Sequence, residues 1–380
     1  MARVDRLGNR RLRCGQCGAE VRMTRGRRPE RKRRDLSIRD KMFWIVYRPF
    51  RAFCPRCGLR VERVPWAKKW ERITQALAQA VALLAKKLSF KEVAEYFRLD
   101  WKRVAGVAKR VVEEGLKRRK VKALHTLGID EVSRKKGHHD LTLVYDLERG
   151  NLLWIGLDRK QEILDEFFRW LGRRKARTIQ AICLDRWAPY LASVREQAPQ
   201  ATLVFDRFHV VQHLNQALDK VRKAEVKRLA AQEGVDLKRT RGILLKTPWN
   251  LTPHEHRRLS RLLKLNLPLI RAYYLKEAFQ KFWDYVQEKR AQAHLNQWLW
   301  WATHSRLDPF IEFACLVKKH LPGLFARTKL RISNGALEGM NNKLKWVSHR
   351  SFGFRKPEYF IVATYHYCAG LPLKSCTSFS

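Results

Sequence analysis

The chain has 380 residues, 45% hydrophobic and 11% aromatic, which is enough to pack two or three cores and excludes a disordered polyelectrolyte. Eighty Lys and Arg against 36 Asp and Glu leave a formal charge of +44, far more than solubility needs, so nucleic acid is the expected partner ahead of a membrane surface or a ribosome-like scaffold. No apolar run approaches the roughly 18 residues that span a bilayer. "MARVDRLGNRRLR" lacks the apolar core of an export signal, so a cytoplasmic, nucleoid-associated setting without membrane contact is expected. Eight cysteines in that setting are thiols or metal ligands.

Residues 1–66 read as a zinc-binding module. Cys14 and Cys17 in "CGQC", and Cys54 and Cys57 in "CPRC", form two knuckles, each followed by a glycine. Two knuckles supply four thiolates, a closed tetrahedral set for structural zinc that leaves no position open for catalysis. Between them, "RGRRPERKRR" (residues 25–34) reads as a solvated loop placed to grip phosphates and add salt-dependent affinity.

Residues 67–118 read as a helix-turn-helix. Ile73, Leu77, Val81 and Leu84 repeat at helical spacing, and Ser89 with Glu92 forms a capping box ahead of Phe90, Val93, Ala94 and Phe97. "RLD" turns into a third helix capped by Asp100, in which Val104, Val107, Ala108 and Val111 are the expected core face. Lys102, Arg103, Lys109 and Arg110 lie on its other faces and are candidate DNA readers. "EEGLKRRKVKAL" (113–124) reads as a charged linker.

From 119 to 206 short apolar runs replace the helical period: "LHTLGID", "LTLVYDL" and "NLLWIGL" as strands, the helix "QEILDEFFRWLGRRK" with Ile163, Leu164, Phe167, Phe168 and Leu171 buried, then "IQAICLD", a shorter helix and "TLVFD". Three strands, helix, strand, helix, strand is the RNase H-like order, a mixed sheet with helices on its faces. Residues 207–330 read as an all-helical insertion. There "TPHE" opens a helix, Leu275, Phe279, Phe282 and Val286 make a stripe, and Trp298, Trp300 and Trp301 cluster, more plausibly as core than as a stacking platform for an unpaired base. Residues 331–380 hold a last helix and, in "LPLKSCTSFS", a loose tail.

Three acids sit at pointed positions: Asp130 at the end of the first strand, Asp185 after "AICL", and Glu338 in "NGALEGMNNKLK". Carboxylates gathered on adjacent strands repel unless a hard cation lies between them, which calls for Mg²⁺ or Mn²⁺, and two such ions ~4 Å apart suit in-line phosphoryl transfer. A helix from Asn334 buries Leu337, Met340, Leu344 and Val347, and sets Glu338, Asn341, Asn342 and Lys345 on the neighbouring face. Glu131 points to the other side of the strand from Asp130. Any one of these acids alone reads as a surface residue or turn former, and it is the three in this order that point to a site.

"GIDE", "LDRWAPYLASVREQAPQATLVFDRFHVVQHLNQALDKVR" and "SNGALEGMNNKLKWVSHRSFGFR", behind a four-cysteine module and helix-turn-helix, closely resemble the ISL-three family of bacterial insertion-sequence transposases, of the DDE group. The resemblance implies a catalytic triad of Asp130, Asp185 and Glu338 with two Mg²⁺ (or Mn²⁺) ions, Asp130 bridging both. It makes Asp206 and His209 a supporting pair like the Asp-x-x-His signature, with Asp206 the rival for the second acid. It further implies binding to double-stranded DNA at transposon ends and target, and a homodimer or higher assembly. The competing readings are a DNA-binding regulator without catalysis and a nuclease without strand transfer.

Overall fold

The computed structural model describes residues 1–5, 11–69, 71–133, 140–184, 188–205, 207–229, 239–264, 267–330 and 334–372. Two compact units emerge, residues 1–120 with 342–380, and residues 121–341. Among the described residues no helix is long and apolar enough to cross a membrane.

Among the described residues the first unit begins with eight short strands: β1 (Ala2–Arg3), β2 (Leu12–Arg13), β3 (Glu20–Val21), β4 (Thr24–Arg27), β5 (Arg31–Arg34), β6 (Trp44–Tyr47), β7 (Phe50–Cys54) and β8 (Gly58–Val61). Antiparallel pairs β2–β3 and β7–β8 each carry one cysteine knuckle, and Leu12, Cys14, Val21, Ala52 and Cys54 close a small core around them. The stretch 25–34 is no solvated loop, because it contributes β4 and β5. β5 pairs with the apolar β6, and its far edge is held by Arg34 N–H to Arg72 O and Thr74 N–H to Arg34 O, both 2.9 Å. Arg33 and Arg34 are therefore buried, at 8% and 5% exposure. A run of charge carries no trace of such pairing, since strand partners are chosen by the whole chain.

Three helices follow, α1 (Gln75–Ala85), α2 (Phe90–Phe97) and α3 (Trp101–Arg118). Thr74, Ser89 and Asp100 cap them, Ser89 in a reciprocal box with Glu92. Arg98 closes α2 in the left-handed region at φ 51° and so makes the tight turn into α3. Val104, Val107 and Ala108 are buried as expected, but further along Val112 is buried and Val111 only half-buried. "EEGLKR" is helix and not linker: its charges face solvent while Gly115 lies on the packed side, where a Cβ would meet Leu371 at 3.1 Å.

In the second unit β9 (Thr126–Ser133), β10 (Asp140–Asp146) and β11 (Asn151–Leu157) precede α4 (Gln161–Leu171), α5 (Arg173–Ala176), β12 (Ala181–Leu184), α6 (Ala188–Gln197) and β13 (Thr202–Phe205). The sheet order is β11-β10-β9-β12-β13, with β9, β10 and β11 antiparallel and β12 and β13 parallel to β9. Leu164, Phe167, Phe168 and Leu171 of α4 are buried as read from sequence, Ile163 only half so. β9 runs to Ser133, so Asp130 stands within the strand, opposite Leu143, and not at its tip.

The helical region comprises α7 (Arg207–Leu229), α8 (Arg241–Leu245), α9 (Pro253–Leu263), α10 (Pro268–Lys281), α11 (Glu288–Thr303), α12 (Asp308–Lys319) and α13 (Leu321–Leu330). "TPHE" does open α9, with Thr252 and Glu255 in a reciprocal capping box. Leu275, Phe279 and Phe282 are buried, but Val286 is 71% exposed because α10 ends at Lys281 and a 3₁₀ turn breaks the stripe. The tryptophans divide: Trp298 is core and donates its Nε1–H to Leu275 O at 2.8 Å, while Trp300 is 65% exposed and stacks on His304. One apolar cluster runs through sheet and helices from Leu124 to Leu324. α14 (Asn334–Arg350) and α15 (Pro357–Cys368) complete the chain. Leu371 in the supposed tail is buried, and residues 373–380 lie outside the described residues.

Candidate active site and metal centre

Asp130 is half-buried on β9, and both of its carboxylate oxygens are engaged. Oδ1 accepts from the backbone N–H of Glu131 at 2.7 Å, and Oδ2 accepts from Asn341 Nδ2 at 2.6 Å. The second bond docks the start of α14 onto β9. Met340, Leu344 and Val347 are buried along α14, which leaves the half-buried Asn341 and the exposed Glu338, three residues earlier, on the neighbouring face of the helix. Asn341 Oδ1 is buried with no hydrogen-bond partner, an oxygen acceptor left unmatched beside a carboxylate. Asn342 and Lys345 are exposed further along the helix.

Ile129 of β9 pairs with Leu184 of β12, and position 185 follows Leu184 directly in sequence. Asp185 and Asp206 themselves lie outside the described residues. His209 is half-buried in the first turn of α7. Glu131 pairs with Arg159 at 3.7 Å, and the same guanidinium reaches Asp140 at 3.5 Å. Beside them the buried Tyr190 hydroxyl meets Thr142 Oγ1 at 2.6 Å. Burial above all, then the charges of Glu131 and Asp130, push that phenol above its ordinary range, against the Thr142 hydrogen bond. Sequence reasoning missed Tyr190, Thr142 and Arg159, since each is an ordinary residue until the sheet and α6 bring it beside the acids.

The four knuckle cysteines do converge. The sulfurs of Cys14, Cys17, Cys54 and Cys57 all lie within 4.8 Å of one another, from residues 37 apart in the case of Cys17 and Cys54. Burial opposes ionisation of Cys14, but backbone N–H groups of Cys17 and Gln16 and the neighbouring thiols bring it down to about 7. Cys57 is pushed up to about 12 by its hydrogen bond to Cys17, by burial and by the charge of Cys17. One thiolate thus forms readily and resists the next, the electrostatic situation that a divalent cation relieves.

On α3, Lys102, Arg103 and Lys109 are exposed. Arg110 is half-buried and paired with Glu71 at 2.8 Å.

Residues 127–364 match a family described as transposase, of the ISL3 DDE type, and residues 62–112 match the helix-turn-helix domain of transposase family ISL3. The chain is 31% identical over 353 residues to the transposase for insertion sequence element IS1001 of Bordetella parapertussis, an overlap of 92% of this chain and 87% of the relative. It is also 31% identical over 374 residues to the transposase for insertion sequence element IS1557 of Mycobacterium tuberculosis (strain CDC 1551 / Oshkosh), covering 92% and 84%. A mixed sheet followed by a helical region, behind a helix-turn-helix, is in this light a transposase architecture. Within that class, the chain belongs to the ISL3 family.

Proposed function

We propose that the protein binds the terminal inverted repeats of an insertion sequence and catalyses metal-dependent DNA cleavage and strand transfer from an RNase H-like domain. The observation that carries this reading is the Asn341 to Asp130 hydrogen bond, which sets Glu338 one helical turn from a residue touching the strand acid. In this reading Asp130, Asp185 and Glu338 hold two Mg²⁺ or Mn²⁺ ions, and Asp206, His209, Asn341, Asn342 and Lys345 support them. Two carboxylates of the described chain and an unmatched amide oxygen are the hard donors such ions take. When bound, the pair would activate the attacking oxygen and stabilise the leaving one.

The chain's own contribution is placement. Glu131 N–H and Asn341 fix the rotation of the Asp130 carboxylate, and the Arg159 guanidinium pairs with the neighbouring acids Glu131 and Asp140. The surplus of positive charge holds the polyanionic substrate near these acids. Water attacks the phosphodiester at the element's end and displaces a 3′-hydroxyl, and that hydroxyl then attacks a target phosphodiester and displaces the target's 3′-oxygen, without a covalent enzyme intermediate. Cys14, Cys17, Cys54 and Cys57 hold one structural zinc, and Lys102, Arg103, Lys109 and Arg110 contact DNA, Arg110 only by exchanging Glu71 for it. Joining two ends in concert calls for a dimer or larger assembly on DNA.

The test is to incubate the full chain and Mg²⁺ with labelled duplexes carrying the element's ends and to map the breaks. Cuts at the element boundary followed by joined products are expected. End-specific binding without any cleavage would instead make the protein a regulator.

A further inference from the structure

A cavity of about 650 Å³ lies in the first unit between β5 and the α2–α3 turn. Arg31, Lys32, Arg33 and Arg34 line one wall, and Arg72, Arg98 and Arg103 line the other. Among the described residues only two carboxylates, Glu71 and Asp100, reach it; Glu71 pairs with Arg110 and acts on Arg33 only at longer range, and Asp100 accepts from the backbone N–H of Lys102 as the cap of α3. Among the described residues none of the seven cations has a carboxylate oxygen within 4.0 Å.

Two of these cations are buried. Arg33 makes its one described side-chain contact with the face of Trp66, 5.4 Å from the ring centre. Arg34 gives one N–H to the carbonyl of Arg98 at 3.0 Å, while its Nε is buried with no partner. Burial first, then the charge of Arg31 on Arg33 and of Arg98 on Arg34, holds both guanidiniums below their ordinary range, against the charge of Glu71 on Arg33, although an arginine at neutral pH stays charged. Buried charges with no carboxylate in contact, and only the longer-range charge of Glu71 acting on Arg33, are unfavourable, so a fold that keeps them implies an anion that arrives later.

We infer that this seam between zinc module and helix-turn-helix is a binding site for the phosphodiester backbone of duplex DNA, and that through it the two modules grip DNA as one rigid surface. The inference rests on the proposed reading of these modules as DNA-binding. DNA fits better than a small anion because the cavity continues onto the exposed amino-terminal turn of α3, where Arg103 joins Lys102 beside it. The joint is stiff: Arg34 is bonded by its backbone to the residues leading into α1 and by its side chain to the αL residue that turns α2 into α3. A phosphate seated there touches both modules at once and carries no sequence information itself.

The experiment measures affinity of the full chain over a salt series, for a duplex carrying the element's end and for an unrelated duplex of equal length. Each lost phosphate contact should make the slope of log K against log salt shallower by ~0.9. Arg31→Gln with Lys32→Gln, both at the rim, should therefore flatten the slope by nearly two for both duplexes alike. Arg34→Met should flatten it by about one. Slopes equal to the wild-type value in the rim variant overturn the inference, even should Arg34→Met fail to fold. The preference of wild-type protein for the element's end is a separate readout: if it is absent while the slopes flatten, end recognition fails and the seam stands. If it is present while the slopes do not move, the seam alone is wrong, and a wild-type chain with no salt-dependent binding to either duplex sinks both.

Discussion

Asn341 Nδ2 donates to Asp130 Oδ2 at 2.6 Å, joining residues 211 apart in the chain. The bond ties the first part of α14 to β9, and with it Glu338 to the acid on the strand. Asp130→Asn and Glu338→Gln should each keep shape but lose the charge that offsets a divalent cation. Cleavage and strand transfer should fall by roughly a thousandfold or more, the several kcal/mol that a metal ligand supplies. Binding of the element's end should not change, because it is assigned to the other unit. A variant that still cuts within tenfold of wild type would remove its residue from the site.

Asp185 and Asp206 compete for the second acid. Asp185→Asn is expected to be inactive, and Asp206→Asn to keep detectable activity that Mn²⁺ enhances. The opposite pattern in the same cleavage assay would exchange the two assignments and leave the transposase chemistry intact.

Zinc content tests the knuckles. Purified protein should hold one zinc per chain, and Cys17→Ser should lose it together with end-specific binding, before the second unit loses stability. Metal analysis and a binding assay on the same preparation decide this, and full zinc with full affinity in Cys17→Ser counts against the site.

The capping box at the second helix of the helix-turn-helix gives a stability prediction. Ser89 accepts from Glu92 N–H at 3.2 Å and Glu92 returns a 2.8 Å contact to Ser89 N–H. Ser89→Ala should cost ~1 kcal/mol, read as a lower urea midpoint with unchanged slope.

His366 sets an acid limit on the first unit. It is 1% exposed and its Nε2 lies 2.7 Å from Ala82 O, so the neutral ring donates. Burial first, with Lys86 and Arg350 adding to it against the Ala82 hydrogen bond, depresses its pKa below the unfolded 6.5. The unfolded chain therefore takes up the proton first. Stability from this group is complete above pH 6.5 and declines below it, by at most ~1.4 kcal/mol per pH unit. His366→Gln should show a shallower acid slope in thermal unfolding, and identical slopes would exclude His366 as the cause.

Much of the local structure was legible in the residues. The caps at Ser89, Asp100 and Thr252, the start of α14 at Asn334, the succession of strands and helices along the chain and the paired cysteines each follow from interactions within about four residues or from an alternation of apolar positions. These signals act along the chain, so a single sequence contains them in full. Where a stripe crossed a break, as at Val286, the period continued in the sequence although the helix did not.

Tertiary structure alone decided which of these pieces meet. Nothing near residue 341 announces that its amide reaches Asp130, and nothing in "RGRRPERKRR" announces that Arg33 and Arg34 are buried while Lys32 between β5's ends stays exposed. Likewise Arg110 looks like Lys109 until Glu71 engages it, and Trp298 looks like Trp300 until one enters the core. The reason is that long-range partners are fixed by which apolar faces the whole chain can bury together, and a polar residue's neighbours then follow from that packing and not from its own position in the sequence.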